Sequence, residues 1–170
     1  MKVRAFFSWV SLLCFLLGCG NAYASDSELD RDTLKGIKGV FVLVEIDEEI
    51  VKNHLTEGMI MTDVELKLRL AGIAIPSKEE WLKESGSPYL YVGLNAAKIG
   101  QLGYSYKVHV GLRQQVFLRR AVILIFDSPF AETWSVGALG FAKEMQGIRD
   151  GTKNMVDMFI NAYLSVNPKR

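Results

Sequence analysis

The chain has 170 residues, 49% hydrophobic and 23% charged, with a formal net charge of +1. That profile excludes a disordered tail, a coiled coil and a collagen-like repeat. The first 24 residues hold 17 hydrophobic side chains and both cysteines; the 146 that follow carry 18 basic and 19 acidic groups, a net charge of −1, which argues against a nucleic-acid partner and suits one domain.

In chain order, residues 1–24 read as a secretory signal peptide. Lys2 and Arg4 give a positive start, 5–17 is an apolar stretch of 13 residues, and Ala22-Tyr23-Ala24 puts small residues before Ser25. The stretch is shorter than the roughly 20 residues a transmembrane helix needs. Leu16-Leu17-Gly18-Cys19 also resembles a lipobox, in which Cys19 would be lipidated and become the first residue. The favoured reading is ordinary cleavage after Ala24 and a periplasmic location; an outer-membrane lipoprotein is the alternative. After Ala24 there is no cysteine, so disulfides, thiol catalysis, iron–sulfur clusters and Cys-based zinc sites are excluded for that mature form.

Residues 25–36, polar and without period, read as a flexible lead-in to a single domain over 37–170. Val40-Phe41-Val42-Leu43-Val44 is a continuous apolar run and reads as a central strand. A helix follows, with Thr56 or Thr62 as its cap, Ile60, Val64, Leu68 and Ala71 on one face, and Gly72 at its end. Ile73-Ala74-Ile75 is a short extended piece. Ser77-Lys78-Glu79-Glu80 is a capping box that opens a short helix through Trp81.

From residue 88 the period becomes two. Leu90, Val92 and Leu94 alternate with Tyr89, Tyr91 and Gly93; after a loop over 96–103, Tyr104, Tyr106, Val108, Val110 and Leu112 alternate with Ser105, Lys107, His109, Gly111 and Arg113. A bulge is expected at Gln114-Gln115 before Val116-Phe117-Leu118, a further apolar run spans 121–126, and the last strand covers 133–141. The C-terminal helix is expected over 143–164, with Met145, Ile148, Met155, Phe159 and Tyr163 as its apolar stripe. The order β-α-β-α-β-β-β-β-α predicts an α+β fold, a mainly antiparallel sheet with helices packed on one face. The other face carries Lys107, His109 and Arg113 and stays wet or meets a partner.

The sequence holds no phosphate loop, no GxGxxG, no HExxH, no EF-hand loop and no GxSxG elbow. It names no catalytic set, no metal ligands and no cofactor. His54 and His109 are the only histidines and read as solvated. Glu45, Asp47, Glu48 and Glu49 cluster at a strand end without the ligand spacing of a calcium loop; they read as a solvated turn, with an acidic site as the alternative. Arg113, Arg119 and Arg120 form a small basic patch. Tyr89, Tyr91, Tyr104 and Tyr106 are the candidate ligand-binding residues, either an aromatic platform for a sugar or peptide or side chains packed under a helix.

Thr62-Asp63-Val64-Glu65-Leu66-Lys67-Leu68-Arg69, Ala71-Gly72-Ile73, Trp81-Leu82, Ser87-Pro88-Tyr89-Leu90-Tyr91-Val92 and Leu164-Ser165-Val166-Asn167-Pro168-Lys169 resemble an uncharacterised exported bacterial family. The strand, the helix ending in Ala-Gly-Ile and the strands after it are similar to small periplasmic domains of envelope-assembly proteins, such as the amino-terminal domain of TolB. The resemblance implies export and fold and supplies no catalytic residues. The expectation is a non-enzymatic exported binding or envelope-accessory protein, its partner unknown or another envelope protein, with membrane contact only through a lipid on Cys19. The rival is a small hydrolase using carboxylates such as Asp47 or Glu49.

Overall fold

The computed structural model describes residues 22–117 and 129–168. Five strands, β1 (Ala22–Ser25), β2 (Phe41–Ile46), β3 (Tyr89–Ile99), β4 (Gly103–Gln115) and β5 (Phe130–Ala142), form one sheet in the order β1-β5-β4-β3-β2. The helices are α1 (Glu28–Asp32), α2 (Glu48–Lys52), α3 (Glu57–Ala71), α4 (Lys78–Trp81) and α5 (Met145–Val166). The fold is α+β in the predicted order. Among the five strands described, only β2 and β3 pair in parallel, because the connection between them is long enough to carry α3 back across the sheet.

One face of the sheet is the core. Val42 and Val44 of β2, Leu90, Val92 and Leu94 of β3, Val108, Val110 and Leu112 of β4, and Trp134 and Val136 of β5 are all buried. Against them pack Ile60, Val64 and Leu68 of α3 and Ile148, Thr152, Val156, Phe159, Ile160 and Tyr163 of α5. The α3 stripe is the predicted one except that Ala71 is half-buried. In α5 the stripe runs through Thr152 and Val156, while Met145 and Met155 sit at its margin, half-buried. Thr152 is tolerated there because its hydroxyl donates to the Ile148 carbonyl at 2.9 Å. Thr56 caps α3, its Oγ1 accepting from Met59 N–H, and Gly72 ends the helix at φ 79°. Ser77 and Glu80 form the predicted capping box of α4.

Three expectations are corrected. Residues 25–36 are not a loose lead-in. They carry α1, Leu34 is fully buried, and Asp26 accepts from Trp134 Nε1 at 2.9 Å and from Arg31 Nε at 2.7 Å. Asn167, just beyond α5, accepts from Gly36 N–H at 2.8 Å and donates to the Leu34 carbonyl at 2.9 Å, so the domain includes this segment. Second, β3 continues through the expected 96–103 loop to Ile99, which pairs with Gly103; glycines with positive φ at Gly100 and Gly103 make the reversal tight. Ala22-Tyr23-Ala24 lies in β1 and pairs in turn with Ala138, Gly137 and Val136 of β5.

The third correction positions the site. The bulge falls between Leu112 and Arg113, not at Gln114-Gln115, which still pair with Ala131 and Phe130. Leu112 pairs with Trp134 and Arg113 with Glu132, so Thr133 of β5 is the extra residue. An extra residue reverses the facing of everything beyond it. Strict alternation from the buried Trp134 would point Glu132 and Phe130 into the core; the bulge turns both onto the opposite face. Thr133 is held in place, accepting from Gln114 Nε2 through Oγ1 at 2.9 Å and from Thr33 Oγ1 through its carbonyl at 3.2 Å. The expected strand over 121–126 lies outside the described residues.

Candidate functional site on the open face of the sheet

Among the described residues no long helix covers the second face. The register lines up its rows: Phe41, Tyr89, Arg113 and Glu132 across the sheet, then Leu43, Tyr91, Gly111 and Ser135, then Glu45, Gly93, His109 and Gly137. Two neighbouring groups stand on these rows.

The first is polar. The Tyr91 hydroxyl donates to Glu45 Oε2 at 2.6 Å. The Arg113 guanidinium lies 4.0 Å from the centre of the Tyr91 ring, close enough for a cation–π contact. Glu132 Oε2 sits 2.8 Å from His109 Nε2 and 3.6 Å from Arg113 Nε, and the His109 and Tyr91 rings are 6.1 Å apart. Tyr91, Arg113, Glu132 and His109 therefore close a ring of contacts, with the Arg113, Glu132 and His109 side chains each about one-third exposed or less. Two glycines make it possible. A Cβ on Gly93 would stand 2.9 Å from the Tyr91 ring, and one on Gly111 would stand 2.5 Å from the Glu132 carboxylate. Burial, then the Glu45 hydrogen bond, pushes the Tyr91 phenol up to about 12. Burial works against the Arg113 charge, but hydrogen bonding to Tyr89 and the charge of Glu132 keep its pKa above the ordinary arginine value.

The second group is aromatic. Trp81 of α4 stacks on Phe41 at 5.2 Å between ring centroids and lies 6.1 Å from Tyr89 and 6.4 Å from Phe130; Tyr89 and Phe130 are 5.5 Å apart, edge to face. With Leu43 these residues line an apolar recess of about 340 Å³. The buried Trp81 Nε1 has no hydrogen-bond partner among the described residues. Tyr89 joins the groups, since it lies in this cluster and beside Arg113 in the register.

The four tyrosines do not share a face. Tyr89 and Tyr91 stand on the open face; Tyr104 and Tyr106 share the phase of Val108, Val110 and Leu112 and pack on the helix side. Tyr104 is buried and donates to Asn53 Oδ1 at 2.8 Å, and the Tyr106 ring fills the space over Gly140 of β5 and Gly151 of α5. Reading from sequence missed Glu132, Phe130, Phe41 and Trp81 as members of the site. Trp81 and Phe41 carry no spacing signal, and the bulge at Thr133 hides the other two.

The acidic cluster is built into local structure. Asp47 caps α2, with Oδ1 accepting from Ile50 N–H at 3.1 Å and Oδ2 from Ala96 N–H at 2.7 Å. Glu48 pairs with Lys52 and Glu49 accepts from Asn53. No group of three His, Cys, Asp or Glu among the described residues could hold a metal ion. His54 is exposed, with φ 67°. Cys19, Arg119 and Arg120 lie outside the described residues, and no described helix is long and apolar enough to cross a membrane.

Compared with protein-family models and with curated proteins, the chain matches none, so the open face is interpreted from its own geometry.

Proposed function

We propose that this is an exported binding or envelope-accessory protein that holds its ligand on the open face of the sheet. The observation that carries the reading is the apolar recess of Phe41, Leu43, Trp81, Tyr89 and Phe130 set directly beside the Tyr91–Arg113–Glu132–His109 ring. An aromatic floor next to fixed donors and acceptors suits a ligand with a flat apolar side and a polar edge, a sugar ring or an extended peptide. The leader supports export; cleavage after Ala24 would release the domain, and cleavage before a lipidated Cys19 would hold the same face near a membrane.

Binding rather than catalysis fits the pairing of the polar groups. Asp47 and Glu49, the carboxylates a hydrolase would use, accept hydrogen bonds that build α2 and its junction with β3. The protein should be titrated with chito-oligosaccharides and with a set of unstructured peptides, following tryptophan fluorescence. Trp81 and the fully buried Trp134 are the only tryptophans after the leader, so Trp81 reports the face. A saturable change with either probe, lost in Phe130→Ala and weakened in Arg113→Gln, supports the reading. Binding that survives both substitutions, or no binding by either class, overturns it.

A further inference from the structure

The second exposed feature is an edge. β5 is paired along its length with β4, but on its other side, among the described residues, only Ala22–Ser25 of β1 pair with it, over Ser135–Ala138. Three of those four residues are Ala22, Tyr23 and Ala24, the cleavage motif itself. Cleavage after Ala24 would leave only Ser25 opposite β5. We infer that leader removal uncovers the β5 edge and that a second copy of the chain covers it, β5 against β5 about a two-fold axis, joining two sheets into one.

The composition of the edge carries the choice of occupant. From Ser135 to Ala142 the strand reads Ser-Val-Gly-Ala-Leu-Gly-Phe-Ala, with no charge and no proline. Sheet edges that stay single are usually guarded by lysine, by proline or by an inward-pointing charge, and this one has none. The opposite edge is different: β2 is only six residues long and carries Glu45, and the chain just before it is tied to Ala74 by the Val40 N–H at 3.0 Å. The uncharged stretch Ser135–Ala142 brings no like charges together when it meets its own copy antiparallel, which is what an isologous contact requires. Four of its residues, Ser135, Gly137, Ala138 and Gly140, are small. Leu139 and Phe141, 49% and 54% exposed on the open face beside this edge, would gain cover from the partner. Because the leader is lost only on export, pairing would begin only after the chain has left the cytoplasm.

The inference rests on cleavage after Ala24 and is independent of what binds the open face. The test is to express the full chain with its own leader, recover the exported protein, fix its first residue by intact mass, and measure its molar mass in solution by light scattering. A chain beginning at Gly20, made without export, is the comparison because it keeps β1. The expected result is a dimer for the chain starting at Ser25 and a monomer for the one starting at Gly20. Spin labels on Leu139→Cys, the sole thiol in the chain that starts at Ser25, should then lie within about 20 Å of each other, as strands spaced about 4.8 Å apart require. A first residue of Cys19, a monomer starting at Ser25, equal dimerisation of both forms, or widely separated labels each overturns the inference. Circular dichroism on the Ser25 form confirms that it is folded when its mass is read; an unfolded Ser25 form overturns the inference as well.

Discussion

The Glu132 carboxylate lies over Gly111, where a Cβ would stand 2.5 Å from Oε2. Glycine inside a strand weakens it, yet here it makes room for a charged group that pairs with His109. Gly111→Ala should therefore act on the site more than on the fold. The Glu132 end is flexible and can swing aside, so the stability loss should be about 1 kcal/mol or less. The His109–Glu132 contact should break, and the His109 ring resonances in an NMR spectrum should move to the positions seen in Glu132→Gln. If those resonances stay at their wild-type positions, the cradle is not what holds Glu132.

How much of this was legible follows from the period. In β3 and β4 the alternation is regular, so the covered and open faces could be assigned residue by residue. The same alternation separates Tyr104 and Tyr106, in the phase of Val108 and Val110, from Tyr89 and Tyr91, which oppose Leu90 and Val92. In β5 the phase breaks at Thr133, whose only mark is a polar residue beside Trp134, so Glu132 and Phe130 could not be placed. The segment over 25–36 was hidden for another reason: its one buried anchor, Leu34, sits among polar residues whose partners, Trp134 and Asn167, are more than a hundred residues away.

Tyr91 should mark the alkaline limit of the site. Its phenol is raised from 10 to about 12, first by burial and then by Glu45, so folding favours the neutral form. A raised value means the contribution to stability is complete below about pH 10, the value of the free phenol, and is lost as pH rises towards 12. Following the Tyr91 ring carbons by NMR, ionisation should occur near that upper limit. Glu45→Ala removes the second cause and leaves the first, so the titration should move down yet stay above the free value. A fall all the way to the free value would show that burial contributes little.

The acid limit is set by the two helices behind the sheet. Arg149 of α5 donates through Nη2 to Asp63 Oδ1 of α3 at 2.9 Å, and Lys153 lies 3.6 Å from the same carboxylate. The Arg149 hydrogen bond holds the Asp63 carboxyl below its ordinary value, and Arg31 does the same for Asp26. A depressed value gives stability that is present above about pH 4, the unfolded carboxyl value, and is lost as pH falls through the folded one. Asp63→Asn should cost about 1–3 kcal/mol at neutral pH, the range for hydrogen bonds to charged groups. The gap from wild type should narrow in urea unfolding below about pH 3, where Asp63 is increasingly protonated. An equal gap at both pH values would mean the cost is steric.

Gly151 tests the opposite side of the sheet. A glycine inside α5 gives up about 1 kcal/mol of helix propensity relative to alanine, so Gly151→Ala would stabilise an isolated helix. In the protein, a Cβ there would stand 2.7 Å from the Tyr106 hydroxyl, and that ring is also pressed against Gly140, where a Cβ would lie 2.6 Å from Cζ. With no room to retreat, the ring turns the substitution into overpacking, which costs about 1–3 kcal/mol. Gly151→Ala should then lower the unfolding midpoint. In a Tyr106→Phe background the nearest atom is gone, and the remaining ring carbons, 3.3 Å from that Cβ, need yield only slightly. There the same substitution should be neutral or stabilising. The double-mutant cycle should show coupling above about 0.5 kcal/mol, as residues in contact do. Additive effects would mean that Tyr106 is not what requires a glycine at 151.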